Sequence, residues 1–322
     1  MADAPALVSV VTVSHNRRQN VVELLTALRH QTYPLFEIIV IDNASSDGTP
    51  AVVRHDFPEV HLIETGANLG MVAYNLGFQA ARGEYVLVMD DDGLPGSPEW
   101  ISEIVSRFGA DAQLGAVACT IRMRDTGRIA HDSPQFDPTS SRHGGYPCPA
   151  FNGTGAGLRT AALRACGYYP ACFTISYLEL WLCSRLLDTG WATRLYPEIE
   201  VWHSRPTGSS MPALSEMGLR NYYWYVWELY PWPLVLTETL HELASRLKMT
   251  LQGNLPPARY WDATRAAFVG VRRALERREP VSTNTIRQLR ALRRQGNWHG
   301  LAAQIRPFRW TDIVGVGAQT DE

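Results

Sequence analysis

The sequence predicts an α/β fold in which a mostly parallel sheet is flanked by helices and followed by a helical extension. Over the first hundred residues, short apolar runs typical of strands alternate with segments of helical periodicity. This alternation favours parallel strands that are covered by helices on both faces. From about residue 212 onward the periodicity is helical only and is interrupted by prolines, which predicts the extension.

Four apolar runs predict the first half of the sheet. The predicted strands are residues 7–13, 37–41, 60–63 and 85–89, and helices are expected from residue 21, from residue 49 and over residues 71–81. The second helix has a clear start, because Pro50 takes an early helical position just after Asp47 and Gly48. Ligands bind beyond the carboxyl ends of the strands in such sheets, so we expect the site at that edge.

After residue 100 the alternation loosens. We expect a helix over 98–108, a strand over 114–123, a long mobile loop over 125–149, a strand or turn over 151–158, a helix over 176–187, and two short strands over 192–196 and 199–202. We place a domain boundary after residue 210, which leaves an arginine-rich helical extension over 211–322.

Composition and charge limit the class of protein. The five cysteines are odd in number and have neither zinc-site nor redox spacing, which favours a reducing cytoplasm. We recognise neither a signal peptide nor an apolar stretch of about twenty residues. Residues 1–245 carry a net charge of −10 and residues 246–322 a net charge of +8, so the extension has its own surface chemistry.

Three consecutive carboxylates follow the fourth predicted strand. Asp90, Asp91 and Asp92 stand directly after the apolar run 85–89, where three like charges repel one another and resist burial. A hard divalent cation, Mg²⁺ or Mn²⁺, would relieve that repulsion and is often shared between carboxylates and substrate phosphates. The alternative is an acidic turn, because Gly93 and Pro95 follow at once.

Several short motifs occur in one order along the chain. They are residues 8–17 (VSVVTVSHNR), 31–34 (QTYP), 41–49 (IDNASSDGT), 68–70 (NLG) with Asn75, the aspartate triplet, and 201–203 (VWH). Together they resemble family 2 glycosyltransferases with the GT-A fold, a Rossmann-like nucleotide-binding fold, over roughly residues 6–205. The pattern is similar to that of bacterial cell-surface glycan and rhamnosyltransferase-like members.

The resemblance implies a role for each matching residue. Asp42 resembles the residue that hydrogen-bonds the nucleotide base, and His203 resembles the distal metal ligand. The implied nucleotide-binding residues are Thr12, Asn16, Asp42, Asn68, Asp90 and Asp91, and the implied ligands of Mg²⁺ or Mn²⁺ are Asp90, Asp92 and His203. The alternatives are a turn former at Asp42 and an ordinary strand-end histidine at His203.

Glu179 is the candidate catalytic base. Family members place a Glu-Asp pair before an Arg and a Gly, which Arg185 and Gly190 match here, so the pair reads Leu178-Glu179. Trp181 replaces an acid that is often found in the family. Independently of the resemblance, Glu179 heads an apolar helix face, where partial desolvation favours proton acceptance near neutrality. The alternative is an acid that interacts with the helix dipole.

Gly153 and Gly155 belong to a run of small residues that resembles the strand lining the acceptor side in the family. We expect close approach of the backbone to a ligand there. The run is neither a phosphate-binding loop nor a dinucleotide fingerprint.

The extension begins with an aromatic segment, residues 220–232, and continues with many arginines. One hypothesis is contact with a membrane surface, which would suit a lipid-linked acceptor and a peripheral position on the inner face of the cell membrane. The alternative is that the aromatic side chains pack against the catalytic domain.

These observations favour a metal-dependent inverting glycosyltransferase. Its donor would be a UDP- or dTDP-sugar, and its acceptor a glycan or lipid-linked precursor in cell-surface polysaccharide synthesis. The alternatives are a degenerate transferase that binds donor without turnover and a sugar-nucleotide pyrophosphorylase, although residues 14–17 lack the glycines expected of the latter. A nucleic-acid binder would leave Asp42, the aspartate triplet and His203 unexplained.

Overall fold

The computed structural model describes residues 4–130, 144–204 and 216–295. Within these ranges nine strands form one sheet. The strands are β1 (Val8–Ser14), β2 (Phe36–Asp42), β3 (His61–Glu64), β4 (Tyr85–Met89), β5 (Gly93–Pro95), β6 (Leu114–Met123), β7 (Tyr146–Pro147), β8 (Gly155–Arg159) and β9 (Ala192–His203).

Helices cover the sheet and form the extension. They are α1 (Arg18–Arg29), α2 (Thr49–Asp56), α3 (Tyr74–Ala80), α4 (Trp100–Ala110), α5 (Thr160–Cys166), α6 (Leu178–Asp188), α7 (Glu216–Leu229), α8 (Leu234–Leu251), α9 (Pro257–Val269), α10 (Val271–Glu276) and α11 (Thr283–Gln295). None of the helices in the described ranges is long and apolar enough to cross a bilayer.

The strand order is β3-β2-β1-β4-β8-β6-β9-β5, with β7 paired to β9. The first four strands are parallel, as predicted. The second half of the sheet is mixed, because β8 runs antiparallel to both β4 and β6 while β6 and β9 are parallel. The predicted α/β fold class is therefore confirmed, with a sheet that is less uniformly parallel than the sequence indicated.

Most predicted elements are present, with three differences. Residues 71–81 divide into a 3₁₀ turn, Gly70–Ala73, and the helix α3. The two strands expected over 192–202 are one strand, β9, whose pairing with β6 shifts register after Tyr196. Helix α5 and the short strands β5 and β7 were not predicted. Much of the expected loop over 125–149, namely residues 131–143, and the boundary after residue 210 lie outside the described residues.

Two apolar layers cover the two faces of the sheet. Alternate residues of β4 point to opposite faces: Val86 and Val88 belong to one layer, and Leu87 and Met89 to the other. The first layer also contains side chains of α3, α5, α6 and α7, and the second contains those of α1 and α4.

The aromatic segment of the extension is buried. Tyr222, Tyr223, Tyr225 and Trp227 of α7 are at most 3% exposed and belong to the same apolar layer as α6. The aromatic side chains of α7 therefore pack against the catalytic domain, as in the alternative, whereas Trp232 of the same segment is 54% exposed. Membrane contact of the extension stays a prediction. Burial of several aromatic side chains removes a large apolar area from water and stabilises the fold. Helix α6 supplies part of the surface that they cover.

Candidate functional site

The candidate site lies where β1, β2 and β4 end. Ser14 and Asp42 are paired at the ends of β1 and β2, and Asp90 follows the last residue of β4. Gly93, just after the aspartate triplet, pairs with His203 at the end of β9. Four distant parts of the sequence thus meet at one edge, as expected for a parallel sheet.

The acidic cluster (Asp90, Asp91 and Asp92) holds a guanidinium group. Arg17 Nη1 donates to Asp91 Oδ1 at 2.9 Å and to Asp92 Oδ2 at 2.7 Å. The arginine side chain is 45% exposed, whereas those of Asp91 and Asp92 are 6% and 10% exposed. The positive charge of Arg17 therefore offsets part of the repulsion between the three aspartates that the sequence predicted.

The other oxygen of Asp92 faces the histidine. His203 Nε2 lies 3.2 Å from Asp92 Oδ1, and both side chains are at most 10% exposed. Asp90 has different neighbours: Tyr74 donates its hydroxyl to Asp90 Oδ1 at 3.1 Å, and Thr154 donates to Oδ2 at 3.3 Å. Asp92 and His203 are thus in contact, and Asp90 is anchored beside them.

The environment shifts the pKa values of the three carboxyl groups in different directions. Burial, together with the charges of Asp92 and Asp91, raises the pKa of Asp90 to about 6. Burial also raises the pKa of Asp91, against the charge of Arg17. For Asp92, burial is outweighed by the hydrogen bonds and charges of His203 and Arg17, so its pKa is lowered. Asp92 is therefore the carboxyl group of the cluster that ionises most readily.

Unpaired polar atoms lie near the ends of β1 and β2. Thr12 Oγ1 and Asp42 Oδ1 are buried, and neither has a hydrogen-bond partner among the described residues. The other carboxylate oxygen of Asp42 accepts from the backbone N–H of Ser45 at 2.9 Å. A buried carboxylate oxygen without a partner is unfavourable, and a donor group on a ligand would satisfy it.

Asn16 and Asn68 hold the segment that follows β2. Asn16 Oδ1 accepts from the backbone N–H of Ser46 at 2.7 Å, and Asn16 itself has a left-handed φ of 54°. Asn68 Oδ1 accepts from Asn43 Nδ2 and from the N–H of Gly70, both at 2.9 Å. These contacts give both residues a structural role, and their contact with a nucleotide stays a prediction.

Glu179 lies in the first turn of α6 and is partly buried. Its Oε1 atom is 2.8 Å from the position of an ideal β-carbon on Gly153, so the carboxylate lies directly against that backbone. Gly155 has a different reason to be small, because a β-carbon there would be 2.5 Å from the side chain of Val201. The acceptor-side role of these glycines stays a prediction.

Sequence reasoning missed several residues that organise the site. The acidic cluster is held by Arg17, Tyr74 and Thr154. The residues next to each of them in the sequence form no pattern that predicts this role. Arg17 was visible as the end of the first motif, and the charge of three adjacent aspartates was the signal that a counter-cation was needed. Tyr74 and Thr154 reach Asp90 only through the fold.

The residues present fit a shared, open metal site. Within the described ranges, no group of three or more His, Cys, Asp or Glu side chains encloses a possible metal position. Asp92 and His203 nevertheless bring a carboxylate oxygen and an imidazole nitrogen within 3.2 Å. Mg²⁺ and Mn²⁺ are commonly bound by one or two such side chains together with substrate phosphates. The assignment of Asp90, Asp92 and His203 as ligands stays a prediction.

The fold and the acidic edge define a protein of the GT-A class. A solved structure with the same fold is that of the mannosyltransferase PcManGT from Pyrobaculum calidifontis in complex with GDP-Man and Mn²⁺. It is 20% identical with a TM-score of 0.54, and the match covers 97% of this chain and 79% of that chain. At that identity the likeness concerns the fold alone.

The chain belongs to glycosyl transferase family 2, whose sequence profile matches residues 9–167. The glycosyltransferase AglE of Haloferax volcanii is 31% identical over 41% of this chain. The chain spans only 46% of the length of that relative. An N-acetylglucosaminyl-diphospho-decaprenol L-rhamnosyltransferase of Mycobacterium tuberculosis is 23% identical over 67% of this chain and 82% of its own length.

Proposed function

We propose that the protein is a metal-dependent inverting glycosyltransferase. It transfers a sugar from a UDP- or dTDP-linked donor to a glycan or lipid-linked acceptor in cell-surface polysaccharide synthesis. The observation that carries the proposal is the meeting of Asp42, the acidic cluster and His203 at one edge of the sheet, where ligands of such folds bind.

The base pocket supports a uracil or thymine nucleotide. Both bases carry an imide N–H, which is a donor, and Asp42 Oδ1 is a buried acceptor without a partner among the described residues. Asp42 would accept from that group, while its second oxygen stays with Ser45. Thr12 Oγ1 also lacks a hydrogen-bond partner among the described residues and would add a second polar contact to the nucleotide.

The diphosphate would lie over the acidic cluster. Asp90, Asp92 and His203 would hold Mg²⁺ or Mn²⁺, the latter being present in the mannosyltransferase complex. When bound, such an ion stabilises the negative charge that develops on the departing nucleoside diphosphate. Arg17, which is half exposed, adds a further positive charge near the same place.

Glu179 would act as the general base. Its carboxylate accepts the proton of the acceptor hydroxyl as the hydroxyl oxygen attacks the anomeric carbon and the bond to the nucleoside diphosphate breaks. Direct attack with one base inverts the configuration at that carbon. Contact with Gly153 keeps the carboxylate against the strand that the family resemblance assigns to the acceptor side.

The acceptor is proposed from the relatives. The mycobacterial relative is named for a diphospho-decaprenol acceptor, which is lipid-linked. A putative teichuronic acid biosynthesis glycosyltransferase of Bacillus subtilis, TuaG, is also similar. Both names support a cell-surface glycan or its lipid-linked precursor as the acceptor class.

Binding of nucleoside diphosphates tests the donor site. Thermal unfolding is measured with UDP, dTDP, GDP and ADP, each with and without Mn²⁺. We expect UDP or dTDP to raise the melting temperature only when Mn²⁺ is present, because a ligand of the native state stabilises it by mass action. Equal effects of all four nucleotides, or none, would contradict the donor proposal.

Glu179→Gln separates a transferase from a degenerate one. The amide keeps the size of the side chain and cannot accept the proton, so we expect transfer to be lost while the nucleotide-induced melting shift is retained. Unchanged turnover would remove Glu179 from the mechanism. If the wild-type protein binds donor but transfers no sugar to any acceptor offered, the degenerate alternative holds.

Membrane contact, if the acceptor is lipid-linked, belongs to α8 rather than to α7. Four leucines of α8 share one face of the helix and are 43–80% exposed, namely Leu236, Leu240, Leu247 and Leu251. Over residues 246–295 the sequence carries 12 basic and 3 acidic side chains. An apolar helix face in an extension with excess positive charge suits an anionic bilayer, and the proposed place is the inner face of the cell membrane.

Flotation with anionic vesicles tests this surface. We expect the wild-type protein to float and the double variant Leu240→Asp with Leu247→Asp to stay in the dense fraction. Thr237→Asp, an exposed position outside the stripe, is the matched control. Equal flotation of all three, or dimerisation of the wild type that the double variant abolishes, would overturn the membrane proposal.

A further inference from the structure

The turn that leads into α6 has an unfavourable backbone. Ser176 and Tyr177 are consecutive non-glycine residues with left-handed φ angles of 60° and 69°. Tyr177 is the residue that caps α6, and Glu179 follows two residues later. Each residue in such a conformation is strained and persists only where its surroundings hold it. Because Glu179 follows this turn so closely, the direction of its side chain depends on the contacts that keep Ser176 and Tyr177 in the left-handed conformation.

The amide of Asn221 in α7 holds the backbone of the turn. Asn221 is completely buried, and its Nδ2 group donates to the carbonyl oxygens of Ile175 and, at 3.4 Å, Ser176. Its Oδ1 atom accepts from Arg220 at 2.8 Å, which fixes the orientation of the amide. One side chain of the extension therefore binds the two carbonyls that precede the left-handed residue Tyr177.

Other residues of α7 hold the side chains of α6. The ring of Tyr177 lies 5.7 Å from that of Tyr222 and 6.1 Å from that of Tyr225. The hydroxyl groups of Tyr225 and Ser184 are hydrogen-bonded at 2.9 Å. Helix α7 thus contacts the turn itself and a position about two helical turns beyond it.

A third contact completes the set. The indole N–H of Trp181 donates to Glu228 Oε2 at 3.1 Å. Asn221, Tyr225 and Glu228 are spaced by four and then three residues, so they share one face of α7. That face is turned to α6 along its first two turns, which fixes how α6 is rotated about its axis.

We infer that Asn221 is a positioning residue for Glu179, and that the extension supplies the contacts that aim the proposed base. The inference rests on the proposed function of Glu179 as the base. Without the amide of Asn221, the carbonyls of Ile175 and Ser176 lose their buried donor, and the turn relaxes toward ordinary backbone angles. Glu179, at the end of that turn, then leaves its position beside Gly153.

Asn221→Leu tests the inference, because leucine keeps the branched shape of asparagine, with two methyl groups in place of the amide, and cannot donate a hydrogen bond. Thr239→Val is the matched control. It removes the acceptor of the Trp227 indole, 2.9 Å away, on the side of α7 that faces α8. Asn221→Leu removes the hydrogen bonds between α7 and the turn, whereas Thr239→Val removes a hydrogen bond of α7 that lies away from the turn.

Hydrogen exchange gives a readout that does not depend on activity. We expect the amides of residues 177–182 to exchange at least tenfold faster in Asn221→Leu than in the wild type, and unchanged exchange there in Thr239→Val. We also expect kcat for transfer to fall about 10- to 100-fold in Asn221→Leu, as small misplacements of catalytic groups do, with donor KM unchanged.

Failure of the inference and failure of the proposed function give different results. Unchanged exchange at 177–182, or a loss of donor binding that matches the loss of kcat, overturns the positioning role while leaving the transferase intact. A wild-type protein without transferase turnover overturns the proposed function whatever the exchange shows. If Asn221→Leu does not fold, Asn221→Ala, which leaves a cavity instead of a bulkier side chain, takes its place.

Discussion

The carboxylate of Glu179 lies against the α-carbon of Gly153, with Oε1 2.8 Å from the place where a β-carbon would stand. Glu179 belongs to α6, and Gly153 lies just before β8. The contact therefore joins the helix that carries the proposed base to the start of β8. Strand β8 lies next to β4 in the sheet, and the acidic cluster follows β4. Only glycine leaves room for the carboxylate in this position.

Gly153→Ala should displace Glu179 without unfolding the protein. The added methyl group meets only the end of a flexible side chain, so the carboxylate can turn away at little cost in stability. We expect kcat for sugar transfer to fall about tenfold or more, with an unchanged melting temperature and unchanged donor affinity. Steady-state kinetics and thermal unfolding measure the three quantities.

Gly109→Ala is the control for this prediction. Gly109 lies in α4, and a β-carbon there would meet nothing within 4 Å, so this variant should keep full activity. A Gly153→Ala enzyme with wild-type kcat would show that the observed place of Glu179 is not needed for catalysis.

Asp42→Asn should weaken nucleotide binding. The amide has one oxygen, which the N–H of Ser45 requires, so its NH₂ group would face the imide N–H of the base. Loss of a hydrogen bond to a charged group costs about 1.5–3 kcal/mol, which is about 10- to 100-fold in Kd. Titration calorimetry with UDP or dTDP and Mn²⁺ measures it. Asp56→Asn, on the exposed end of α2, should bind normally, and a normal Kd for Asp42→Asn would exclude the assigned base contact.

The sequence predicted those parts of the fold and site that depend on local pattern. Periodicity located the first four strands, and the rule for parallel sheets brought Asp42 and the acidic cluster to one edge. The direction of β8 was not predictable, because its apolar run reads the same in parallel and antiparallel pairs. The partners Tyr74 and Thr154 of Asp90, and the contact of Asn221 with the turn before α6, depend on tertiary structure, so no local pattern marks them.

The buried carboxyl group of Glu228 should make stability depend on pH. Burial raises the pKa of Glu228 to about 7, although the hydrogen bonds from Cys172 and Trp181 and the charge of Arg277 oppose the shift. Between about pH 4.5 and pH 7 the unfolded chain is ionised at this residue while the folded protein keeps its proton. Stability therefore falls as pH rises through this window, by on the order of 3 kcal/mol for this group.

Glu228→Gln should remove this part of the pH dependence. Glutamine stays neutral and can still accept from the indole of Trp181, so the variant should gain stability relative to the wild type between pH 5 and pH 8. Thermal unfolding across that range gives the difference, in which the other titrating groups cancel. Glu276→Gln, at an exposed acid of α10, should leave the pH profile unchanged. Parallel profiles for Glu228→Gln and the wild type would contradict a buried neutral carboxyl group.

Arg17→Ala should increase the affinity of the nucleotide-free protein for Mn²⁺. The Arg17 guanidinium binds both Asp91 and Asp92, so an incoming cation is repelled by a positive charge that the same acidic cluster already holds. Removal of that charge leaves the acidic cluster uncompensated, and we expect Kd for Mn²⁺ to fall about tenfold, which equals about 1.4 kcal/mol. Electron paramagnetic resonance of free Mn²⁺ measures it without turnover. Arg17→Lys keeps the charge and should bind Mn²⁺ as the wild type does, and an alanine variant with unchanged or weaker affinity would show that Arg17 and the metal do not compete.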